Sequence, residues 1–215
     1  ASGDLPVKFL DALNTYKIPL VIHRRNLSDP YLFIPTYHTD RQDILTAQIL
    51  HRQNQVKAVY IARTILKARL TAMTTHIPIS HSTYRRLASL RSLDELRSLE
   101  AQVTKRYWHQ YYKELGLEGT IRRDRHVPVN QALNAGSLFL SGVILRWVLY
   151  HRLSPQHGFM HVQSSYPSLV FDLMEPFRYI IERAVQQAHE KAPDTTSLVA
   201  YTIEIMKDAL EDNVR

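Results

Sequence analysis

The sequence contains no cysteine among its 215 residues. That absence excludes disulfides, thiolate zinc sites and cysteine nucleophiles, and it fits a reducing cytoplasm. The first eight residues lack a basic stretch followed by an apolar one, so no signal peptide is predicted. The most apolar stretch, residues 138–150, is interrupted by Ser141, Gly142 and Arg146 and is too short to span a bilayer. We therefore expect a soluble, cytoplasmic protein with no membrane partner.

Acidic residues are missing from one long stretch. Residues 44–93 contain no Asp or Glu but eight Lys and Arg residues. The whole chain has a net charge of +7, with +10 on residues 1–189 and −3 on residues 190–215. A surface with many cations and few carboxylates suits a polyanion, which predicts a nucleic-acid partner. A basic protein without an anionic partner is the alternative.

The common catalytic signatures are also missing. The chain has only six glycines, and it contains no P-loop, no glycine-rich dinucleotide turn and no GxSxG. His189 and Glu190 begin an HExxH pattern, but Pro193 stands where the second histidine should be. There is no His-Asp doublet, which argues against the phosphohydrolases that use one.

The hydrophobic pattern predicts a mainly α protein with a short β-hairpin near its start. An amphipathic helix is expected over residues 5–16, and strands over 18–23 and 31–34. The later helices are predicted over residues 41–73 with Asp40 as cap, 92–115 ending at Gly116, 128–153, 167–191 with a break at Pro176, and 195–213. Residues 128–153 are apolar nearly all round, which predicts the central helix of a bundle of about six. The predicted domains are residues 1–37, whose hairpin either packs on another part of the protein or is the remnant of a larger sheet domain, and residues 38–215, the helical domain.

Carboxylates stand where this pattern calls for apolar residues. Glu100 lies in the middle of an arc formed by Leu96, Val103, Tyr107 and Tyr111. A carboxylate in a buried seam is unfavourable unless it is paired, protonated or bound to a metal. A structural Glu–Arg ion pair is the simpler interpretation of Glu100 alone.

A second group of polar residues follows in the segments HGFMH and SLVFDLMEPF. Asp172 and Glu175 are three residues apart in an otherwise apolar turn, and His157 and His161 precede them. Two carboxylates on one apolar face repel each other unless a cation lies between them. Oxygen ligands with one imidazole suit Mg²⁺ or Mn²⁺, which assist phosphodiester chemistry. A solvated loop histidine is the simpler interpretation of either histidine alone.

Four segments in order carry a resemblance to a known family. These segments are LEAQVTKRYW, PVNQALNAGSLFLSG, HGFMH and SLVFDLMEPFR. The chain resembles the CRISPR-associated adaptation integrases, the spacer-acquisition endonuclease/integrase family related to casposases. The resemblance implies that Glu100, His161 and Glu175 bind the metal. It also implies that Asp172 is a further acid of the active site and that Arg178 lies close to the substrate phosphate.

The same resemblance implies an activity and partners. Family members join the 3′-OH ends of short DNA, the spacer precursors, into a CRISPR repeat by transesterification, in the prokaryotic cytoplasm. The expected partners are double-stranded DNA, further copies in a dimer or tetramer, and a small ferredoxin-like adaptation protein. The family opens with a full β-rich domain, of which only a tail, residues 5–35, is recognisable here. The alternative functions are a metal-dependent endonuclease that does not join ends and a non-catalytic DNA-binding subunit.

Arginines are the expected DNA contacts. Arg41, Arg52 and Arg63 recur every eleven residues, close to three helical turns, and so should line one face of a helix. Leu45 and Val56 share that face, so bracing of the bundle is an alternative role for them. A second set of arginines falls in predicted loops and is assigned to DNA phosphates: Arg85, Arg86, Arg122, Arg123 and Arg125.

Overall fold

The computed structural model describes residues 4–23, 30–36, 43–162, 166–192 and 194–212. Within these ranges the chain forms a helical bundle with one small antiparallel sheet, so the predicted mainly α fold class is confirmed. The elements are α1 Val7–Thr15, β1 Leu20–Ile22, β2 Tyr31–Phe33, α2 Ile44–Gln53, α3 Gln55–Met73, α4 His81–Ser89, α5 Leu93–Glu114, α6 Pro128–Tyr150, α7 Ser168–Met174, a 3-10 turn Glu175–Phe177, α8 Arg178–His189 and α9 Thr195–Asp212.

Local sequence signals fix the ends of α5. Ser92 caps its first turn by accepting from the Glu95 amide, and the Glu95 carboxylate accepts in return from the Ser92 amide. This capping box satisfies amides that would otherwise lack partners. After α5 the chain turns at Gly116, whose φ of +69° favours glycine. The helix therefore forms close to where the sequence predicts it.

The prediction of a single long helix over residues 41–73 is wrong. Two helices, α2 and α3, meet at Asn54, whose backbone is extended (φ −77°, ψ 104°). The Asn54 side chain accepts from the Lys57 amide at 3.1 Å and so caps α3. Asp43, and not the predicted Asp40, caps α2 by accepting from the Thr46 amide. Since asparagine favours caps over helix interiors, the break has a local cause. Asp40 and Arg41 lie outside the described residues.

A further helix, α4, occupies a segment that was predicted to be irregular. Its cap is Ser80, which accepts from the Thr83 amide at 3.2 Å. Arg85 and Arg86, which were predicted to lie in a loop, are both in this helix, which begins at His81. The described part of the chain therefore has more helices than the predicted six.

Helix α6 organises the second half of the bundle, packing against α7, α8 and α9. A Cβ on Gly136 would lie 2.6 Å from Ile181 Cγ2, so glycine allows α6 and α8 to approach closely. The other face of α6 is open, with Trp147 60% and Tyr150 53% exposed. The predicted central helix therefore packs on three other helices but leaves one face exposed. By length and composition α6 could also cross a membrane, a test that the core helices of globular domains pass as well.

The hairpin rests on α6. Leu20 pairs with Phe33 and Ile22 with Tyr31 in an antiparallel register. The imidazole of His23 lies directly over Gly142, and neither of its ring nitrogens has a hydrogen-bond partner among the described residues. The predicted boundary between residues 37 and 38 lies outside the described residues and stays a prediction.

Candidate active site

The loop that precedes α7 is folded around the carboxylate of Asp172, which is fully buried. The backbone amides of Phe159, Met160 and His161 all donate to this carboxylate, the last two over 3.0 and 2.9 Å. The Nδ1 atom of His161 lies 2.7 Å from Asp172 Oδ1. Asp172 therefore orients the imidazole through Nδ1 and leaves Nε2 available to a ligand.

Gly158 makes this loop possible. A Cβ at this position would lie 2.6 Å from the carbonyl oxygen of His161 and 2.9 Å from Asp172 Oδ2. The Gly158 amide also donates to Ser168 Oγ at the first residue of α7. The glycine of HGFMH is thus required by close approach, and the loop and α7 form one hydrogen-bonded unit.

Two other helices hold the outer side of the loop. Gln48 of α2 bonds with the backbone of Ser154 and His157 over 2.8–3.0 Å. Arg52 of α2 donates to His157 Nδ1 and to the carbonyl of Val162. On α5, Arg97 donates to the carbonyl of Met160 at 2.7 Å. His157, the other histidine of the motif, therefore faces α2, whereas His161 faces the carboxylates.

Glu175 lies in the 3-10 turn between α7 and α8 and is only 4% exposed. Arg178, three residues later, donates to Glu175 Oε1 at 2.8 Å. On the other side, Arg69 Nε of α3 lies 3.7 Å from Glu175 Oε2. Both oxygens of this carboxylate therefore face guanidinium groups.

Arg69 belongs to a buried cluster that we call the closed cluster, formed by Arg69, Tyr107, Tyr111 and Glu182. The Arg69 guanidinium donates to both oxygens of Glu182, at 3.1 and 2.7 Å. The Tyr107 hydroxyl donates to Glu182 Oε2 at 2.6 Å, and the Tyr111 hydroxyl to the Glu182 carbonyl at 2.9 Å. Burial first, and then the Glu182 charge, raise the pKa of both tyrosines. Every member of this cluster has a partner.

Glu100 of α5 completes a second cluster, the open cluster, formed by Glu100, His161 and Glu175. No described residue forms a hydrogen bond or an ion pair with the Glu100 carboxylate. Burial, and then the charge of Glu175, raise the pKa of Glu100, against the opposing charge of His161. Burial alone would lower the pKa of His161, but the hydrogen bond and charge of Asp172 outweigh it and raise that pKa. These mutual effects place the three side chains in one neighbourhood, and their role as metal ligands stays a prediction.

The donor types of the open cluster fit a hard divalent cation, since they are two carboxylates and one imidazole nitrogen. Three observations support the fit: Glu100 has no described partner, His161 Nε2 is left available, and the charge of Glu175 raises the pKa of Glu100. In the side-chain arrangement of the described residues, no three acidic or histidine groups already enclose a metal position. The two oxygens of Glu175 instead form ion pairs, one with Arg69 and one with Arg178.

The arginines assigned to DNA fall into different settings. Arg52 and Arg63 lie on two different helices, α2 and α3. Arg52 donates to the carbonyl of Val162, and Arg63 donates to the carbonyl of Leu90. Arg85 and Arg86 are exposed on α4 and not in a loop. Two arginines in the loop after α5, Arg123 and Arg125, are exposed as predicted, whereas Arg122 is partly buried against Trp108. Arg41 lies outside the described residues.

Sequence reasoning missed the roles of Arg69 and Glu182. Arg69 stands on the core stripe of α3 with Ala62, Leu66 and Met73, at spacings of four, three and four residues. Like Glu100, Arg69 interrupts an apolar stripe, and a buried arginine requires a carboxylate as its partner. The helical pattern does not identify Glu182 as that partner, since 113 residues separate the two.

The comparisons with known proteins identify the family. The family model for CRISPR associated protein Cas1 matches residues 2–197. The chain belongs to this family. The resemblance predicted from the four sequence segments is thereby confirmed.

A curated relative of the Cas1 family, CRISPR-associated endonuclease Cas1 1 of Saccharolobus solfataricus, is 33% identical over 139 residues. Those residues are 60% of this chain and 39% of the relative, so the match spans about two fifths of the relative's length. A second curated relative, CRISPR-associated endonuclease Cas1 2 of Pyrobaculum aerophilum, is 33% identical over 54% of this chain and 39% of its own length.

Solved structures show the same fold. A CAS1 protein from Thermotoga maritima has a TM-score of 0.77 at 18% identity, covering 98% of this chain and 77% of that one. A casposase bound to its integration product has a TM-score of 0.72 at 19% identity, covering 97% and 71%. A chain of a partial Cas6-RT-Cas1–Cas2 complex has a TM-score of 0.69 at 17% identity, covering 88% and 63%.

Proposed function

We propose that this chain is the catalytic part of a metal-dependent DNA integrase that joins the 3′-OH ends of short DNA to a target phosphodiester. The observation that carries the proposal is the open cluster, in which the Glu100 carboxylate has no described partner and faces Glu175 and an oriented His161. The names of the relatives, Cas1 endonucleases and a casposase bound to an integration product, support the same class of reaction.

Glu100, Glu175 and the Nε2 atom of His161 are the groups that would hold Mg²⁺ or Mn²⁺. A bound divalent cation lowers the pKa of a coordinated hydroxyl and neutralises charge that develops on a phosphate. Asp172 is a positioning residue in this proposal. Its four hydrogen bonds are already used within the chain, so it orients His161 and is not a ligand.

The two arginines on Glu175 have different tasks. Arg69 is 2% exposed and fixed by Glu182, so it holds Glu175 in place from within the core. Arg178 is 25% exposed and pairs with Glu175 from the open side. A guanidinium at that edge can exchange a carboxylate oxygen for a phosphate oxygen, because both accept its paired N–H groups. Arg178 therefore binds the target phosphate.

The reaction is a one-step transesterification. The 3′ oxygen of the incoming strand forms a bond to phosphorus, the bond between that phosphorus and the target 3′ oxygen breaks, and the proton passes to the leaving oxygen. No covalent enzyme intermediate is required. Tyr107 and Tyr111 are unsuited as nucleophiles, since both hydroxyls donate to Glu182 and have raised pKa values.

The proposed partners follow from charge and from the neighbouring structures. Duplex DNA suits the exposed cations of α4 and of the loop after α5, Arg85, Arg86, Arg123 and Arg125. The solved complex that contains Cas2 supports the proposal of a small adaptation partner protein. A dimer or tetramer of this chain, acting in the prokaryotic cytoplasm, completes the proposal.

The test is an integration assay with a short labelled duplex, a supercoiled plasmid and Mn²⁺ or Mg²⁺. We expect the label to join the plasmid, and a dideoxy 3′ end to abolish joining without weakening binding. Glu100→Ala and His161→Ala should also abolish joining. Joining of dideoxy-ended DNA would contradict the mechanism, and nicking of the plasmid without joining would assign the chain to the endonucleases.

A further inference from the structure

Two arginines from different helices hold the backbone on either side of His161. Arg97 of α5 donates to the carbonyl of Met160, the residue before His161, through Nε at 3.1 Å and Nη2 at 2.7 Å. Arg52 of α2 donates to the carbonyl of Val162, the residue after His161, at 3.0 Å. The loop is thus tied at this point to two helices, 63 and 110 residues away in the sequence.

The Arg97 contact links the loop to the helix that carries Glu100. Arg97 and Glu100 are three residues apart on α5, so their side chains leave neighbouring turns of one helix face. Asp172 orients the His161 ring, but it belongs to α7 and does not determine where Glu100 lies. The separation of the Glu100 carboxylate from the His161 imidazole therefore depends on the contacts between α5 and the loop, which include both Arg97 bonds to Met160. A ligand set works only while its members stay within about 0.5 Å of their required positions.

The Arg52 contacts close the loop from the other side. Its Nη1 atom lies 3.2 Å from Nδ1 of His157, the first residue of HGFMH, and Val162 directly follows the last. Arg52 therefore joins the two ends of this five-residue segment. Arg97 uses its third nitrogen, Nη1, on Asp94 at 3.1 Å. All three nitrogens of Arg97 and two of Arg52 are thus engaged within the chain, which leaves few donors for a DNA phosphate.

We propose that Arg52 and Arg97 are positioning residues, which fix the His161 imidazole relative to Glu100 and so determine how tightly the site binds a divalent cation. The inference rests on the proposed function, in which these two side chains are ligands. It differs from a role in DNA binding, since both arginines act on the cation site through the loop backbone. It also differs from a general support of the fold, because the affinity for the cation and the environment of the His161 ring should change.

The experiment measures Mn²⁺ binding to the whole chain without DNA, from the EPR signal of the free ion. Arg52→Ala and Arg97→Ala should each raise the dissociation constant about 10-fold, the lower end of the range for residues that orient metal ligands. Arg106→Ala removes an exposed cation from α5 and is the matched control. Asp94→Asn removes the exposed partner of Arg97 but leaves the two bonds to Met160, so its affinity should not change.

Two further measurements separate positioning from other roles. In the joining assay, the Mn²⁺ concentration at half-maximal rate should rise in both arginine variants, while the rate at saturating Mn²⁺ stays close to that of the unmodified chain. In the metal-free chain, the NMR resonances of the His161 ring should shift or broaden in these variants but not in Arg106→Ala. Arg97→Lys keeps the charge without the planar guanidinium, so it should still weaken Mn²⁺ binding if Arg97→Ala fails to fold.

An Mn²⁺ affinity equal to that of the unmodified chain in both arginine variants would overturn the proposal. Weaker DNA binding by anisotropy as their only defect would also overturn it and would make the arginines DNA contacts. An unmodified chain that neither binds Mn²⁺ nor joins DNA would refute the proposed function instead. The His161 resonances of the metal-free variants then decide whether the arginines position the ring, since unchanged resonances would refute that role as well.

Discussion

The closed cluster and the open cluster adjoin where Arg69 meets Glu175, and they accommodate charge in the protein interior in different ways. In the closed cluster Arg69 and Glu182 pair through two hydrogen bonds, and two tyrosine hydroxyls complete the set. In the open cluster Glu100 has no partner among the described residues, and its pKa rises because of burial. The contrast separates charges that hold the fold from charges that await a ligand.

This contrast has a physical basis. When a buried polar group makes all its hydrogen bonds, they offset the free-energy cost of removing it from water. When some of those bonds are missing, part of that free-energy cost remains. The closed cluster, on α3, α5 and α8, is complete, whereas Glu100, also on α5, carries this cost. Arg69 of the closed cluster contacts Glu175 of the open cluster, so a substitution in one cluster should affect the other.

The largest effect is expected from breaking the closed cluster. Glu182→Ala leaves the Arg69 guanidinium buried without its bidentate partner, which should lower the free energy of unfolding by about 3–5 kcal/mol. Urea denaturation measures the change. Glu204→Ala, at an exposed position of α9, is the matched control and should change stability little. A stability close to that of the unmodified chain would show that the closed cluster does not support the fold.

A smaller loss of stability is expected at Asp172, where the loop is bound to α7. Asp172→Asn removes the charge that accepts three amides and His161 Nδ1, which should cost about 2 kcal/mol. The pKa of His161 should fall, because Asp172 is what raises it. The raised pKa adds stability below the unfolded value of about 6.5, which is lost as pH rises through the folded value.

In Asp172→Asn this pH dependence between mildly acidic and neutral solution should flatten. NMR titration of the His161 ring measures the pKa directly, and thermal unfolding at several pH values measures the dependence. An unchanged pKa of His161 would mean that Asp172 does not orient the ring.

A substitution in the open cluster is expected to increase the stability of the chain, in contrast to those in the closed cluster and at Asp172. Glu100→Gln should stabilise the metal-free chain at neutral pH by about 1 kcal/mol, since it removes a partly buried charge that has no described partner. A raised folded pKa means that the cost is present above that pKa and disappears below the unfolded value near 4.3, so the difference should vanish in acid.

Thermal unfolding with and without Mn²⁺ completes the Glu100 test. The metal should raise the melting temperature of the unmodified chain and raise that of Glu100→Gln less. Glu118→Gln, at an exposed loop position, is the control and should respond to Mn²⁺ as the unmodified chain does. Equal responses in Glu100→Gln and the unmodified chain would remove Glu100 from the ligand set.

The smallest effect sharpens the comparison within the closed cluster. Tyr111→Phe removes one hydrogen bond to the Glu182 carbonyl and should cost about 1 kcal/mol or less. The ring packing against Tyr107 and Trp108 remains. A loss as large as that of Glu182→Ala would show that the hydroxyl, and not the ion pair, holds the cluster together.

Much of this architecture was predictable because it depends on local sequence. The capping box of Ser92, the positive φ of Gly116 and the start of α6 at Pro128 are all encoded within a few residues. Glu100 was found because a carboxylate interrupts an apolar arc, a signal that one helix contains by itself. The break at Asn54 escaped because apolar positions continue through it, and one capping side chain decides the matter.

What the sequence did not predict depends on contacts between distant segments. Arg52 was assigned to DNA on its spacing, yet it binds a loop 110 residues away, at Val162. The long-range pairing of Arg69 with Glu182 was equally invisible to periodicity. Periodicity reports which face of a helix is buried, but it does not report which residue lies opposite.

The loop around Asp172 also has a consequence for the order of folding. Its contacts close over 11–13 residues, from the Phe159 amide and the His161 ring to Asp172, whereas Arg69 meets Glu182 across 113. Short closures form earlier because they lose less chain entropy. We expect pulsed hydrogen exchange to protect the amides of residues 159–161 before Arg69 pairs with Glu182. The His161 ring is then oriented by Asp172 before α5 packs and brings Glu100 next to it. The most local part of the site therefore forms first, and the other residues of the site pack against it.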